Sequence, residues 1–159
     1  MSISWEYLAG MIDADGSIGT TLTGANRNVV GRVIVANTNH DFLRTLKEEF
    51  GGSLSLRKVG AKEGWKPFGS ITWSNRQAEV VLTNVLPFLL IKKEQAKLCL
   101  ELIQMRDLPK NKRYTYISRP VAKMSGRSVA ELKPEIRQRE EEIGALIRQL
   151  NTKGVPVDA

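Results

Sequence analysis

The sequence predicts an α+β fold, with one four-stranded antiparallel sheet carrying helices on one face. Three observations predict it. Apolar residues alternate between helical and strand spacing in the order helix, strand, strand, helix, strand, strand, helix, helix. Each strand pair is interrupted by a glycine-containing polar turn, as in a hairpin. With 159 residues and 42% hydrophobic content the chain supports one core, so residues 1–159 are read as a single domain.

Ser4 is placed to cap a first helix, with Tyr7, Leu8, Met11 and Ile12 as its apolar face. Gly16 ends it, as a residue tolerant of positive φ. Two β-rich runs follow, 18–22 and 29–36, around the turn 23–28. Residues 41–50 form an amphipathic helix with Phe42, Leu43, Leu46 and Phe50 on one side, closed by Gly51-Gly52. Runs 53–59 and 68–75 make the second strand pair, and helices are predicted over 77–85 and 94–105, separated at Pro87. Residues 106–127 read as a loop-rich segment holding seven basic residues (Arg106, Lys110, Lys112, Arg113, Arg119, Lys123, Arg127) against one acid, Asp107. A last helix is predicted over 128–151, starting at Ser128 or Glu131, and ended by Lys153-Gly154 and Pro156.

Alternation also sorts the strand side chains by face. Val33 and Val35 share one face, Arg32, Ile34 and Ala36 the other; Thr21 and Thr23 oppose Thr20 and Leu22; Leu54 and Leu56 oppose Ser53, Ser55 and Arg57. A face of Thr, Ser and Arg suits the DNA major groove, which admits β-ribbons. A solvated outer face has the same pattern.

Composition narrows the function classes. The balance of 24 Lys+Arg against 17 Asp+Glu gives a net charge of +7, which suits a partner with a phosphate backbone. Cys99 is the only cysteine, so an internal disulfide is excluded; in Leu98-Cys99-Leu100 it reads as a buried thiol. His40 is the only histidine, which argues against a His-rich zinc site and a Ser-His-Asp triad. The first residues lack a signal pattern and no apolar run approaches the ~20 residues of a membrane span, so a soluble intracellular protein is expected.

The densest chemistry lies in Leu8-Ala9-Gly10-Met11-Ile12-Asp13-Ala14-Asp15-Gly16. Asp13 and Asp15 are two apart, so on a continuing helix they do not share a face. At a helix end one carboxylate is free to enter a site while the other meets local backbone donors. Hard oxygen ligands suit Mg²⁺, although an ordinary Asp-rich turn has the same spacing. A calcium-binding EF-hand loop is excluded, because its first acid and its bidentate Glu fall on Met11 and Leu22.

This segment resembles, in eight of nine positions, the motif that names the LAGLIDADG homing endonucleases; Met11 departs, by a Leu-to-Met change. A second stretch, Leu86-Pro87-Phe88-Leu89-Leu90-Ile91-Lys92-Lys93-Glu94-Gln95-Ala96, is similar to the family's Pro-Phe-Leu-x-x-K-x-x-Q-A block. The two blocks are spaced about as in that family, and the resemblance covers Trp5 to about residue 154. It implies a double-strand break by metal-dependent phosphodiester hydrolysis in a long pseudo-palindromic DNA site, beneath a saddle of four strands. Because the chain carries one motif, it also implies a homodimer whose motif helices pack together through Leu8, Ala9, Gly10, Ile12 and Asp13, with Ala9 and Gly10 allowing close approach. Packing inside one subunit asks for the same small residues.

By position, the resemblance makes Asp15 the metal-binding acid, shared across the dimer axis, and gives Ala14 a ligating backbone carbonyl. Asp13 is the aspartate that holds the helix end, Lys92 the basic residue near the scissile phosphate, and Asn37 the group ordering active-site water. The implied ion is Mg²⁺, with Mn²⁺ as a substitute and Ca²⁺ bound without cleavage. Thr21, Thr23, Arg32, Arg57 and Thr72 are expected to read bases, and Lys112, Arg113 and Lys153 to grip phosphates. No membrane or small-molecule substrate is expected. The alternatives are an intron RNA maturase, or a non-cleaving DNA-binding protein on the same scaffold.

Overall fold

A computed structural model describes residues 2–24, 28–57, 68–118 and 128–152. Helix α1 (Trp5–Ala14) starts where Ser4 Oγ accepts the Tyr7 N–H, 3.3 Å away. It buries Leu8, Ala9 and Ile12 completely, whereas Tyr7 points outward. The apolar face is therefore rotated from the predicted one. Gly16 ends α1 for a different reason than expected: its φ is not positive. Its amide reaches Met11 O and Ile12 O, and a Cβ there would lie 2.6 Å from Ile12 Cα. Close backbone approach, not handedness, demands the glycine.

Strands β1 (Ser17–Thr23) and β2 (Asn28–Asn37) form the first hairpin, with Ile18 opposite Val33. Strands β3 (Ser53–Arg57) and β4 (Phe68–Ser74) form the second, and β2 pairs antiparallel with β4. The order β1-β2-β4-β3 thus joins the hairpins through their inner strands. Register puts Ile18, Val33, Val35, Ile71 and Trp73 on the buried face. Thr21, Arg32, Ile34, Thr72, Ser53 and Arg57 share the opposite face; the alternation read within single strands holds, and the register joins the strands and adds Thr72. Residues 25–27 of the first predicted turn, the whole second turn at 60–67, and residues 58 and 59 of the predicted strand 53–59 lie outside the described residues.

Helix α2 (His40–Phe50) begins at Asn39, whose Oδ1 accepts the Phe42 N–H at 3.0 Å. It stops at Gly51 and Gly52, with φ of 68° and 99°, values that glycine adopts without a Cβ penalty. Trp73 closes this corner from the core, donating Nε1–H to Phe50 O and Gly51 O. Helices α3 (Arg76–Val85) and α4 (Lys93–Arg106) cover the same sheet face. Cys99 on α4 is buried, with burial pushing its thiol up to about 12, as fits an inert core residue. A Cβ on Gly31 would come within 2.6 Å of its Sγ.

The described part of the basic segment, residues 106–118, holds more regular structure than predicted; Arg119, Lys123 and Arg127 lie outside the described residues. A short helix α5 (Lys110–Arg113) leads into a two-stranded ladder of β5 (Tyr114–Ser118) and β6 (Ser128–Leu132). The last helix, α6 (Pro134–Asn151), consequently starts at Pro134, not at Ser128 or Glu131. Proline is tolerated in the first helical turn only, and it holds Lys133 in extended backbone at ψ 139°. Ile143 and Ile147 bury α6 against the core, and Asn151 Nδ2 donates to Ile18 O at 2.8 Å. The predicted stop signals beyond residue 152 lie outside the described residues.

Candidate metal and phosphodiester site

The end of α1 and the start of α4 grip each other. The Asp13 carboxylate accepts three successive backbone N–H groups, from Leu90 (2.6 Å), Ile91 (3.2 Å) and Lys92 (2.9 Å). In return, Lys92 Nζ donates to Ile12 O at 2.7 Å and Asp13 O at 2.8 Å. Each half answers a helix-end requirement. The last carbonyls of α1 carry negative dipole, which the ammonium meets at Ile12 O beside the Gly16 amide and at Asp13 O; the amides of the turn leading into α4 are met by a carboxylate. Asp13 therefore holds the 90–92 turn as well as its own helix end.

Asp15 emerges from this clasp as the C-cap residue of α1, at φ −120° and ψ −8°, and is exposed. Its carboxylate makes no hydrogen bond or ion pair among the described residues, unlike that of Asp13. The Lys92 ammonium is drawn below its ordinary range chiefly by burial, with Asp13 and then Asp15 pulling the other way. An available carboxylate thus stands beside a cation whose position and acidity are set by the fold.

Asn37 lies at the same end of the sheet, three residues beyond Ile34, the partner of Ser17. Its Oδ1 accepts the Asn39 N–H at 2.8 Å, so its oxygen serves the turn into α2, while its amide donors make no hydrogen bond among the described residues. No cluster of three His, Cys, Asp or Glu side chains that would hold a metal occurs among the described residues. The carbonyls of Ile12 and Asp13 are occupied by Lys92, whereas Ala14 is exposed. At this site one chain accordingly offers a single free carboxylate among the described residues, that of Asp15. That donor set fits Mg²⁺, which keeps several waters and takes one or two carboxylates together with phosphate oxygens.

Several expected site residues fall elsewhere. Leu8, Ala9 and Ile12 are buried within their own chain; of the five proposed interface residues Gly10 is the exposed one, and Asp13 is committed to the 90–92 turn. Three large apolar side chains of α1 and the 90–92 turn are exposed as well: Tyr7 is 57% exposed, Leu90 88% and Ile91 72%. Sequence reasoning missed these three. The apolar Leu90-Ile91 pair directly before Lys92 was the available signal.

Arg113 is not a surface phosphate grip. Its side chain is only 14% exposed, its guanidinium faces Glu140 Oε1 at 3.9 Å, and it donates to Arg106 O at 2.9 Å. Burial raises the Glu140 carboxyl above its usual range, while Arg106, Arg113 and Arg137 oppose the shift. Lys112 is exposed, and Lys153 lies outside the described residues. Thr21, Thr23, Arg32, Arg57 and Thr72 all stand on the sheet face away from the helices.

No protein-family profile matches the chain, and no curated protein matches its sequence. Solved structures do. The chain is similar to the homing endonuclease I-CvuI in complex with its target, at 22% identity and TM-score 0.66, over 96% of this chain and 83% of that one. It is also similar to the archaeal intron-encoded homing endonuclease I-Vdi141I complexed with DNA, at 15% identity and TM-score 0.65, over 95% and 86%. The LAGLIDADG homing endonuclease I-GzeII, in complex with its DNA target, aligns at 16% identity and TM-score 0.61, over 91% of this chain and 44% of that one. The fold is that of the LAGLIDADG homing endonucleases.

Proposed function

We propose that this chain is a LAGLIDADG homing endonuclease that cuts both strands of a long, roughly palindromic DNA site by divalent-metal-dependent hydrolysis, acting as a homodimer. One observation carries the reading: Asp15 stands unpartnered at the tip of α1 while the reciprocal Asp13–Lys92 clasp fixes a cation beside it. Neither a plain helix cap nor a solvated turn needs that arrangement.

The division of labour follows from the contacts. Asp15, with the backbone carbonyl of Ala14, would hold the ion, Mg²⁺ by donor chemistry. When bound, the ion supplies Lewis-acid stabilisation of phosphate charge and a more acidic water. Lys92 holds its Nζ at the end of α1, where the ammonium stabilises charge developing on a phosphate or, once deprotonated, the neutral amine takes a proton from the attacking water; a lowered pKa makes that deprotonated form easier to reach than for an exposed lysine. Asp13 is a positioning residue, acting through the 90–92 turn. Asn37 contributes its amide donors to ordering water.

The solved neighbours bound to DNA support placing a duplex against the open sheet face. The homodimer rests on the single motif copy and on the exposed apolar pair Leu90 and Ile91 at the end of α1, which a second copy would cover. Two chains meeting there bring two Asp15 carboxylates toward one axis.

The test is Asp15→Asn, assayed on duplexes selected for binding by the wild-type protein. Cleavage in Mg²⁺ is expected to disappear, with binding retained within a few-fold. An Asp15→Asn protein that cuts at the wild-type rate refutes the assignment.

A further inference from the structure

The open sheet face is nearly uncharged, and its two exceptions are far apart. Among its described residues Arg32 and Arg57 are the charged side chains, and there is no carboxylate. Neither guanidinium makes a hydrogen bond or ion pair among the described residues. Arg32 faces Gly19 across the β1–β2 ladder, where even a Cβ would meet nothing within 4 Å, so its flank is open. Arg57 is propped over the Phe68 ring, 5.8 Å from its centroid. Both arginines are thus free for a ligand, and a guanidinium fork matches the O6 and N7 acceptors of guanine in the major groove.

Register fixes their separation. Arg32 pairs with Ser74 and Arg57 with Phe68, six residues apart on β4. At ~3.4 Å per residue that is ~20 Å along the strand, and the two strand spacings from β2 to β3 add ~9.6 Å across. The diagonal is ~22 Å, which spans about six to seven base pairs at ~3.4 Å each. Between the two points stand Thr72, Ser70 and Ile34, hydroxyl and hydrocarbon groups that accept several bases.

We infer that each half of the DNA target carries two guanine-reading positions about six to seven base pairs apart, one set by Arg32 and the other by Arg57, across a loosely read interval. This rests on the endonuclease reading above and adds a base pattern to it.

Duplexes enriched from a random library by the wild-type protein in Ca²⁺, then by Arg32→Gln and Arg57→Gln, test the inference. The wild-type site is expected to show two strongly preferred G·C pairs at that spacing. Each variant should relax one of them alone, lowering affinity for the guanine-bearing site by about 5- to 150-fold, with the melting temperature unchanged. An enriched site without the pair, with a spacing outside about five to eight base pairs, or with both variants relaxing one position overturns this inference alone. Failure to enrich any duplex overturns it together with the endonuclease reading.

Discussion

Removing the Asp13 carboxylate tests the clasp on which the site depends. Asp13→Ala leaves the amides of Leu90, Ile91 and Lys92 without their acceptor. Two of these bonds lie near solvent, so water replaces them at small net cost; the Lys92 amide is part-buried and loses more. Loss of a capping acceptor costs about 0.5–2 kcal/mol, and the three shared bonds together place the expected loss near 2–3 kcal/mol. For a chain of this size that corresponds to a drop of about 4–12 °C in Tm. Lys92→Met removes the reciprocal bonds to Ile12 O and Asp13 O. Because both halves hold the same two segments, the double variant should cost less than the sum of the singles, by at least about 0.5 kcal/mol in a double-mutant cycle. Thermal or urea unfolding measures all three, and hydrogen exchange should show the amides of 90–92 losing protection in Asp13→Ala. A Tm within 1 °C of wild type, or strict additivity in the cycle, refutes the clasp.

Two further outcomes follow from the buried acid and the exposed apolar surface. The folded-state pKa of Glu140 is raised, so its contribution to stability is fully present below its ordinary value near 4.5 and is lost as pH rises through the raised value. The stability difference between wild type and Glu140→Gln should therefore move against the wild type from pH 4 to pH 7, and a difference moving the other way in paired melts contradicts the burial argument. Sedimentation of the wild type at micromolar concentration should show a dimer, and Leu90→Glu with Ile91→Glu a folded monomer; a wild-type protein that stays monomeric refutes the proposed interface.

Much of the sheet was legible because strand alternation is a local property. Within each strand, residue order alone separates Thr21 from Leu22, Arg32 from Val33 and Arg57 from Leu56; that these residues and Thr72 share one face of the sheet is decided by the register between strands. Helix ends were harder. Gly16 was correctly marked as a stop, yet its reason is the proximity of Ile12 Cα, which composition does not show. The start of α6 was misplaced although Pro134 carried the signal, because a basic stretch reads as loop until its strand partner is found. Arg113 illustrates the same limit: a lysine- and arginine-rich segment reads as a surface, and only packing against Glu140 makes that arginine internal.

The Asp13-Ala14-Asp15 segment divides the two kinds of information most clearly. Sequence by itself determined that two carboxylates sit at a helix end, that no EF-hand surrounds them, and that a lysine block lies some eighty residues downstream. Tertiary structure decided their roles. Asp13 is occupied by amides 77 to 79 residues away, Lys92 reaches back over the same gap, and Asp15 is left free. Chemically identical side chains diverge here because hydrogen-bond partners are supplied by folding, and chain order does not say which carboxylate those partners will consume.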